Sequence, residues 1–413
     1  MDYKVVKECR ICKSSNLQKY LDLGEVPLAN SLLESQSQFS KKYPIEMLLC
    51  LDCHLSQLSI VVEPEVMFSN YPYHSSVSQT FKEHCYHMAL KLKEFETNEY
   101  PLVVDIASND GCLLKVFQEV GYTRLLGFDP ANNLASSPYG DIDGDSLPIP
   151  VVNDFFSEKT AKQIRGDSAG QGASFVIAQN VLAHVDNLHD FLKGVHWFLD
   201  DKGVFVAEFP YLANLIENNQ FDTIYHEHLS YFLLKPLISL FKDNGLTIFR
   251  VEQYPIHGGS IRVYASKGLY DEGESVKEML DFEESKELYS IETYTKFADR
   301  ALRVMNDFKM CLENIHESGK KVMAYGASAK GISLMNYSGI KREWIHAIVD
   351  DTPDKQGKFT PGTLIPIIDS NGFKDECAYF IVLLAWNFAQ ELMNKCWWHN
   401  GYYIIPIPEV KIV

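Results

Sequence analysis

Leu102-Val103-Val104-Asp105-Ile106 runs directly into Ala107-Ser108-Asn109-Asp110-Gly111, and eighteen residues after Gly111 a second apolar run, Leu125-Leu126-Gly127-Phe128, ends at Asp129. Each run has strand length, and the first stops at small, turn-prone residues. In a doubly wound sheet the ligand lies where the first strand turns into its helix, and an acid closing the next strand accepts hydrogen bonds from a ribose. The pair therefore reads as a nucleoside-cofactor signature, with a tight turn and a surface aspartate as the plain alternative. It is not the G-x-G-x-x-G fingerprint, and the chain has no G-x-x-x-x-G-K-[ST] phosphate loop, so neither NAD nor ATP is favoured in this domain.

Outward from this stretch the same alternation continues. Val77, Phe81, Cys85, Met88, Leu90 and Leu92 have helical spacing and predict a helix over 75–95, broken at Tyr100-Pro101. Helices starting at Gly111, Ser157 and Asn187 alternate with strands at 174–178 and 203–208, which means βαβ units on a parallel sheet. A charged stretch over 271–318 reads as a helical connector whose charges form a solvated face. Lys320 to Gly326 then opens a second strand-turn-helix, followed by apolar runs at 345–349 and 379–385. The expected division is a small domain over 1–72, an α/β domain over 73–270, and a connector with a smaller α/β domain over 271–413.

The chain has 413 residues and a formal charge of −17, which argues against sequence-independent nucleic-acid binding. Met1-Asp2-Tyr3-Lys4 carries no signal-peptide pattern, so a cytoplasmic protein is expected, and no apolar run reaches the roughly 20 residues of a membrane span. Of nine cysteines, four form two knuckles, Cys9-Arg10-Ile11-Cys12 and Cys50-Leu51-Asp52-Cys53. Two C-x2-C turns present four thiolates to one structural zinc ion, and the 37 residues between them must fill with a small structured segment. A redox pair is the weaker reading in a reducing compartment.

Tyr225-His226-Glu227-His228 is a dense titratable cluster. An extended backbone would put Tyr225 with Glu227 and His226 with His228, and a helical one would put Tyr225 and His228 on one face. Either histidine suits a general base near neutral pH, with Glu227 orienting an imidazole or an adjacent group. The spacing is not that of an H-E-x-x-H zinc site. His257-Gly258-Gly259-Ser260 is a compact turn followed by Arg262, a residue apt for a diphosphate. Tyr325-Gly326-Ala327-Ser328-Ala329-Lys330-Gly331 either cradles phosphate at a helix N-terminus or begins a nicotinamide-binding unit, and Asp350-Asp351 follows the next strand.

These motifs, with Asn180-Val181-Leu182-Ala183-His184-Val185 and the run from Glu208-Phe209-Pro210-Tyr211 to Phe232, resemble in their order the S-adenosylmethionine-dependent C-methyltransferases of nucleotide-linked 4-keto deoxysugars. The resemblance covers essentially the whole chain. It implies a class I methyltransferase sheet flanked by an N-terminal zinc-binding domain, with Cys9, Cys12, Cys50 and Cys53 as ligands, and a C-terminal Rossmann-like domain. It implies His228 as the base, with Glu227, Tyr225, His184 and Tyr73 completing the catalytic set. The cofactor would meet Asp105, Ala107, Ser108, Asn109, Gly111, Asp129, Asn153, Asp154 and Asn180, and Ala107 departs from the glycine many such enzymes carry. The sugar nucleotide would meet Tyr73, His226, His257, Gly258, Gly259, Arg262, Tyr325, Ser328, Lys330 and Asn387. A monomer without nucleic-acid or membrane partners is expected. The chemistry implied is removal of the C3 proton beside a C4 ketone, followed by attack of the enolate carbon on the sulfonium methyl. An O-methyltransferase and a non-catalytic zinc-knuckle binding protein are the rival readings.

Overall fold

Between residues 102 and 266 all strands but Ser230–Tyr231 assemble into one seven-stranded sheet in the computed structural model, which describes residues 2–72, 74–135, 148–167, 172–370 and 378–413. Its order is Thr247–Tyr254, Ser260–Ser266, Leu199–Pro210, Ala173–Gln179, Leu102–Ile106, Arg124–Phe128, Val151–Val152. Every pairing is parallel except the two made by Ser260–Ser266. This is the class I methyltransferase sheet that the resemblance implies. Helices cover both faces, so Leu102–Ile106 and Ala173–Gln179 are buried almost throughout and need apolar runs rather than alternation.

The helix Gln79–Leu92 starts where Ser78 accepts a hydrogen bond from the Phe81 N–H at 3.2 Å. It buries Phe81, Cys85, Met88, Ala89 and Leu92. Leu90, part of the expected stripe, is exposed, because nine residues on from Phe81 it stands on the opposite side of the helix.

The interval between the cysteine knuckles folds as a hairpin, Leu17–Pro27 against Lys42–Cys50, extended by Ser56–Leu58. The fourth strand of this antiparallel sheet, Ser230–Tyr231, comes from the distant segment after His228. The C-terminal sheet runs Ile367–Ile368, Ile348–Val349, Val322–Tyr325, Phe380–Leu383, Tyr402–Ile405, Lys411–Ile412, parallel except for its last pair.

Two helices, Glu274–Ser285 and Ile291–Glu317, form the connector. One of its charges departs from the expected solvated face. Glu283 is fully buried and accepts hydrogen bonds from Tyr211 and Tyr289, and from the backbone N–H groups of Leu234 and Lys235. It thereby caps the first turn of the helix Leu234–Asp243, a position that favours a carboxylate. Among the described residues no helix is long and apolar enough to cross a membrane.

Candidate active site

The turn after Leu102–Ile106 winds through left-handed backbone at Ala107, Asn109 and Gly111 (φ 57°, 54° and 77°). Asp129 stands opposite, accepting the Asn109 N–H at 2.7 Å and the Ala131 N–H at 2.9 Å, while Asn153 donates to its carbonyl at 3.0 Å. Each Asp129 carboxylate oxygen keeps a second lone pair for a ribose. Burial pushes the carboxyls of Asp105 and Asp129 upward. Oδ1 of Asp110 is buried without a partner, an acceptor suited to an ammonium group at this turn. The donor set and this orphaned acceptor fit S-adenosylmethionine. The side chains of Ser108 and Asn109 have other work: Ser108 donates to the Phe128 carbonyl, and Asn109 accepts the Ser75 N–H at 2.9 Å. Asp154 is exposed and accepts its neighbour Phe155 N–H, and Asn180, also left-handed, donates its N–H to the Glu208 carbonyl at 2.7 Å.

All four knuckle sulfurs lie within 4.8 Å of one another, Cys9 to Cys53 at 3.4 Å and Cys12 to Cys50 at 3.5 Å. Tetrahedral zinc with bonds of about 2.3 Å needs sulfurs about 3.8 Å apart, so the set closes on the metal with little movement. The two knuckles share one backbone device: the residue after each second cysteine, Lys13 and His54, is left-handed, and its N–H returns to the carbonyl of the first.

Tyr225 to His228 is a turn, closed by the His228 N–H on the Tyr225 carbonyl at 3.0 Å. The segment is neither extended nor a helix, but the turn brings together the pair a helical backbone would, Tyr225 and His228, with ring centroids 4.3 Å apart. His228 Nδ1 lies 2.9 Å from the Thr223 carbonyl, which only accepts, so Nδ1 carries the proton and Nε2 presents its lone pair. The Tyr225 hydroxyl lies 3.2 Å from that lone pair. His184 packs edge-on against His228 at 4.9 Å, and burial lowers its pKa to about 4, so it is neutral at pH 7.

The other two members of the turn face the zinc-bearing domain. Glu227 accepts from Asn30 at 2.7 Å and from Tyr71 at 2.9 Å, and burial pushes its carboxyl up to about 7 against those two bonds. His226 donates to the Tyr43 carbonyl at 3.2 Å, with its pKa lowered to about 4 by burial, so it is a domain contact in place of the expected substrate contact. Neither Asn30 nor Tyr71 stood out in the sequence as a Glu227 partner, because both lie far away in the chain. Tyr73 and the side chain of His257 lie outside the described residues.

A cleft of about 420 Å³ opens where the methyltransferase sheet meets the C-terminal domain, lined by Ser78, Phe81, Asn214, Gln220, Gly258, Gly259, Trp386, Asn387 and their neighbours. Among the described residues no charged side chain lines it. A side chain at Gly259 (φ 112°) would collide with Asn214, so glycine is required there. One wall is tied to the histidine turn: Trp386 Nε1 donates to Asp222 at 2.6 Å, and Asp222 precedes the Thr223 that holds His228. Lys330 places its ammonium 5.8 Å from the Trp386 ring, where burial lowers its pKa and the Asp222 charge opposes the fall.

The sequence matches three family models in order: a zinc binding domain over residues 9–68, a methyltransferase domain over 82–251 and a C-methyltransferase C-terminal domain over 255–408. It is 34% identical over 417 residues to the C-methyltransferase NovU of Streptomyces niveus, covering 99% of this chain and 97% of that one. The chain belongs to the C-methyltransferase family. It is an S-adenosylmethionine-dependent C-methyltransferase acting on a small-molecule acceptor, with a zinc-binding N-terminal domain. Among solved structures it is similar to magnesium protoporphyrin IX methyltransferase from Synechocystis PCC 6803 (13% identity, TM-score 0.33, 45% of this chain and 78% of that one). A second is a SAM-dependent methyltransferase from Archaeoglobus fulgidus (14%, TM-score 0.34, 45% and 93%).

In this C-methyltransferase the expected site residues are spread over several places. His228, Tyr225 and His184 come together, and Gly258, Gly259 and Asn387 line the cleft. In the C-terminal domain Ser328 caps its own helix by accepting the Gly331 N–H, and Tyr325 donates to Asp351 at 3.0 Å. Arg262, expected as a diphosphate partner, is buried and paired with Glu208 at 2.7 Å. His84 joins the same carboxylate at 2.7 Å, and Tyr254 stacks on the guanidinium at 4.1 Å. Burial works against the Glu208 charge, but the His84 bond and Arg262 outweigh it and hold the carboxyl below its ordinary value. The cause is register, since Glu208 and Arg262 are directly opposed on antiparallel strands.

Proposed function

We propose that the acceptor is a nucleotide-linked 4-keto-6-deoxyhexose, methylated at C3 through an enolate in the making of a branched-chain deoxysugar. The observation that carries this reading is the His228 geometry: an imidazole locked as the Nδ1–H tautomer by the Thr223 carbonyl, with Nε2 aimed at Tyr225. Carbon methylation needs a carbon nucleophile, and the C3 proton beside a ketone is the one such a base can take. Bound S-adenosylmethionine supplies an electrophilic sulfonium methyl to the carbon so formed.

Tyr225 and Nε2 act as a pair. As the ketone oxygen arrives, the phenol proton turns from Nε2 toward it, which uncovers the lone pair for the C3 proton. Once Nε2 is protonated it donates back to the Tyr225 oxygen, so the phenol stays aimed at the developing oxyanion, the largest stabilising term in such steps. His184, uncharged above pH 5, adds a neutral donor beside it. The uncharged cleft of amides, glycines and Trp386 suits the ribose and base of the nucleotide, with Lys330 at its margin as the nearby cation.

The test is incubation with S-adenosylmethionine and a panel of dTDP- and GDP-4-keto-6-deoxyhexoses in D2O and in H2O. One methyl on the ring carbon is expected, with cofactor-independent exchange of the C3 proton. Methylation of none of these sugars by the zinc-loaded protein refutes the substrate assignment. His228→Ala is expected to fold, bind cofactor and lose at least ~10²-fold in rate, the usual size of a general-base contribution.

A further inference from the structure

Arg10 sits inside the first zinc knuckle, and its side chain is 3% exposed. Its backbone N–H is held by Gln57 Oε1 at 2.9 Å. Part of the guanidinium is spent within its own domain, on the carbonyls of Leu58 at 3.1 Å and Ile60 at 3.4 Å. The rest reaches out of the domain. One terminal nitrogen donates to the Leu229 carbonyl at 3.1 Å, and Nε donates to Asp186 Oδ1 at 3.3 Å. Leu229 follows His228, and Asp186 lies two residues past His184. The two loops are also tied to each other, since the Leu229 N–H donates to the Ala183 carbonyl at 2.8 Å.

We propose that Arg10 is a positioning residue for methyl transfer: a planar cation, its base fixed by the zinc knuckle, that sets the His184 and His228 loops in register with each other. The inference rests on the reading of His228 as the base. The Leu229 carbonyl leads into the edge strand Ser230–Tyr231 and also accepts the Leu58 N–H at 3.0 Å, so a guanidinium serving only the N-terminal sheet would stop there, without the bond to Asp186. Here one rigid fork bonds three separate chain segments, two of them next to histidines whose rings stand 4.9 Å apart and perpendicular. Planar, pre-organised donors fix direction as well as distance, and misplacement of a reacting group by about 1 Å costs on the order of 10²-fold in rate. The knuckle thus transmits its rigidity to a base it never touches.

The experiment uses the full-length, zinc-loaded Arg10→Lys variant, which keeps the charge but loses the fork. Zinc content and S-adenosylmethionine affinity are expected to stay at wild-type values, while kcat falls at least ~10-fold and KM for the sugar nucleotide moves less than about twofold. In a His228→Ala background Arg10→Lys is expected to add almost nothing, because a residue acting through the base has nothing left to position. Selective ¹⁵N-histidine NMR without substrate is expected to show the His228 and His184 ring signals displaced by Arg10→Lys, with His346, whose N–H donates to the Val322 carbonyl in the C-terminal domain, unmoved. Asp186→Asn, which leaves the knuckle intact, is expected to displace the His184 signals and lower kcat in the same sense, and decides the matter if Arg10→Lys fails to load zinc. Independent, multiplicative losses in the double variant, or unmoved His228 and His184 rings, overturn the proposal. Failure of the wild type to methylate any sugar nucleotide sinks the substrate reading instead, and the ring signals still decide what Arg10 does.

Discussion

Replacing Glu227 by glutamine gives the protein a different dependence of stability on pH, and the size of the change follows from one buried carboxyl. In the folded chain burial raises Glu227 from its ordinary 4.5 to about 7, although Tyr71 and Asn30 both donate to it. Between those two values the folded protein keeps a proton that the unfolded chain has released. Stability therefore falls as pH rises through this window, at about 1.4 kcal/mol per pH unit, for a total of about 3 kcal/mol by pH 8. Below pH 4.5 the contribution is fully retained. An amide has no proton to lose, keeps an oxygen for Tyr71, and lets Asn30 turn its own oxygen toward the new NH2. Urea unfolding of zinc-saturated protein at pH 5 and pH 8 measures the difference. The Glu227→Gln variant is expected to gain about 2.5 kcal/mol on the wild type between the two conditions. Equal gaps at both pH values would show that Glu227 is ionised in the folded state and refute the argument. Tyr71→Phe removes a bond that favours the anion, so it is expected to carry the decline to higher pH.

Three further outcomes are expected. Arg262→Met leaves Glu208 buried without its cation and is expected to destabilise by about 3–5 kcal/mol in urea titrations, with Glu208→Gln in the same chain recovering part of the loss. Cys50→Ser is expected to abolish zinc binding, measured by metal analysis, and turnover with it, because Asn30, Tyr71 and Arg10 all approach the histidine turn from the zinc-bearing side; cofactor binding by the seven-stranded sheet is expected to persist. Ala107→Gly relieves a left-handed alanine worth about 1–2 kcal/mol of strain against about 0.5–1 kcal/mol of added chain entropy, so thermal denaturation is expected to show a small gain, and a clear loss would mean the Ala107 methyl makes a contact that matters.

The parallel core of the fold was legible because buried parallel strands must be continuous apolar runs: Val103 to Ile106 and Ser174 to Ala178 announce themselves without any partner in view. The zinc site was legible because its ligands repeat a local turn. Tyr225 and His228 were legible as a cluster but not as a pair, since their meeting depends on a turn that the sequence left open against an extended strand. What escaped was every contact set by non-local register. Arg262 looked like a partner for a diphosphate because nothing in its neighbourhood reveals that the strand bearing it inserts antiparallel beside Glu208. His226 looked as fit for a base as His228, and Glu227 looked like the group orienting an imidazole, whereas their partners Tyr43, Asn30 and Tyr71 lie about 150 residues earlier in the chain.

The strand Ser230–Tyr231, which closes the edge of the zinc-bearing sheet, also sets an order of events during synthesis. The first domain leaves the ribosome with Ser56–Leu58 as a bare edge, its N–H and C=O groups open to any other extended chain. At ~5–20 residues per second, on the order of 10 s passes before the covering strand is made. Throughout that interval the nascent protein carries a template for mispairing that the finished protein has sealed. An N-terminal fragment expressed alone would keep that edge exposed for good, and is therefore expected to self-associate more strongly than the whole chain.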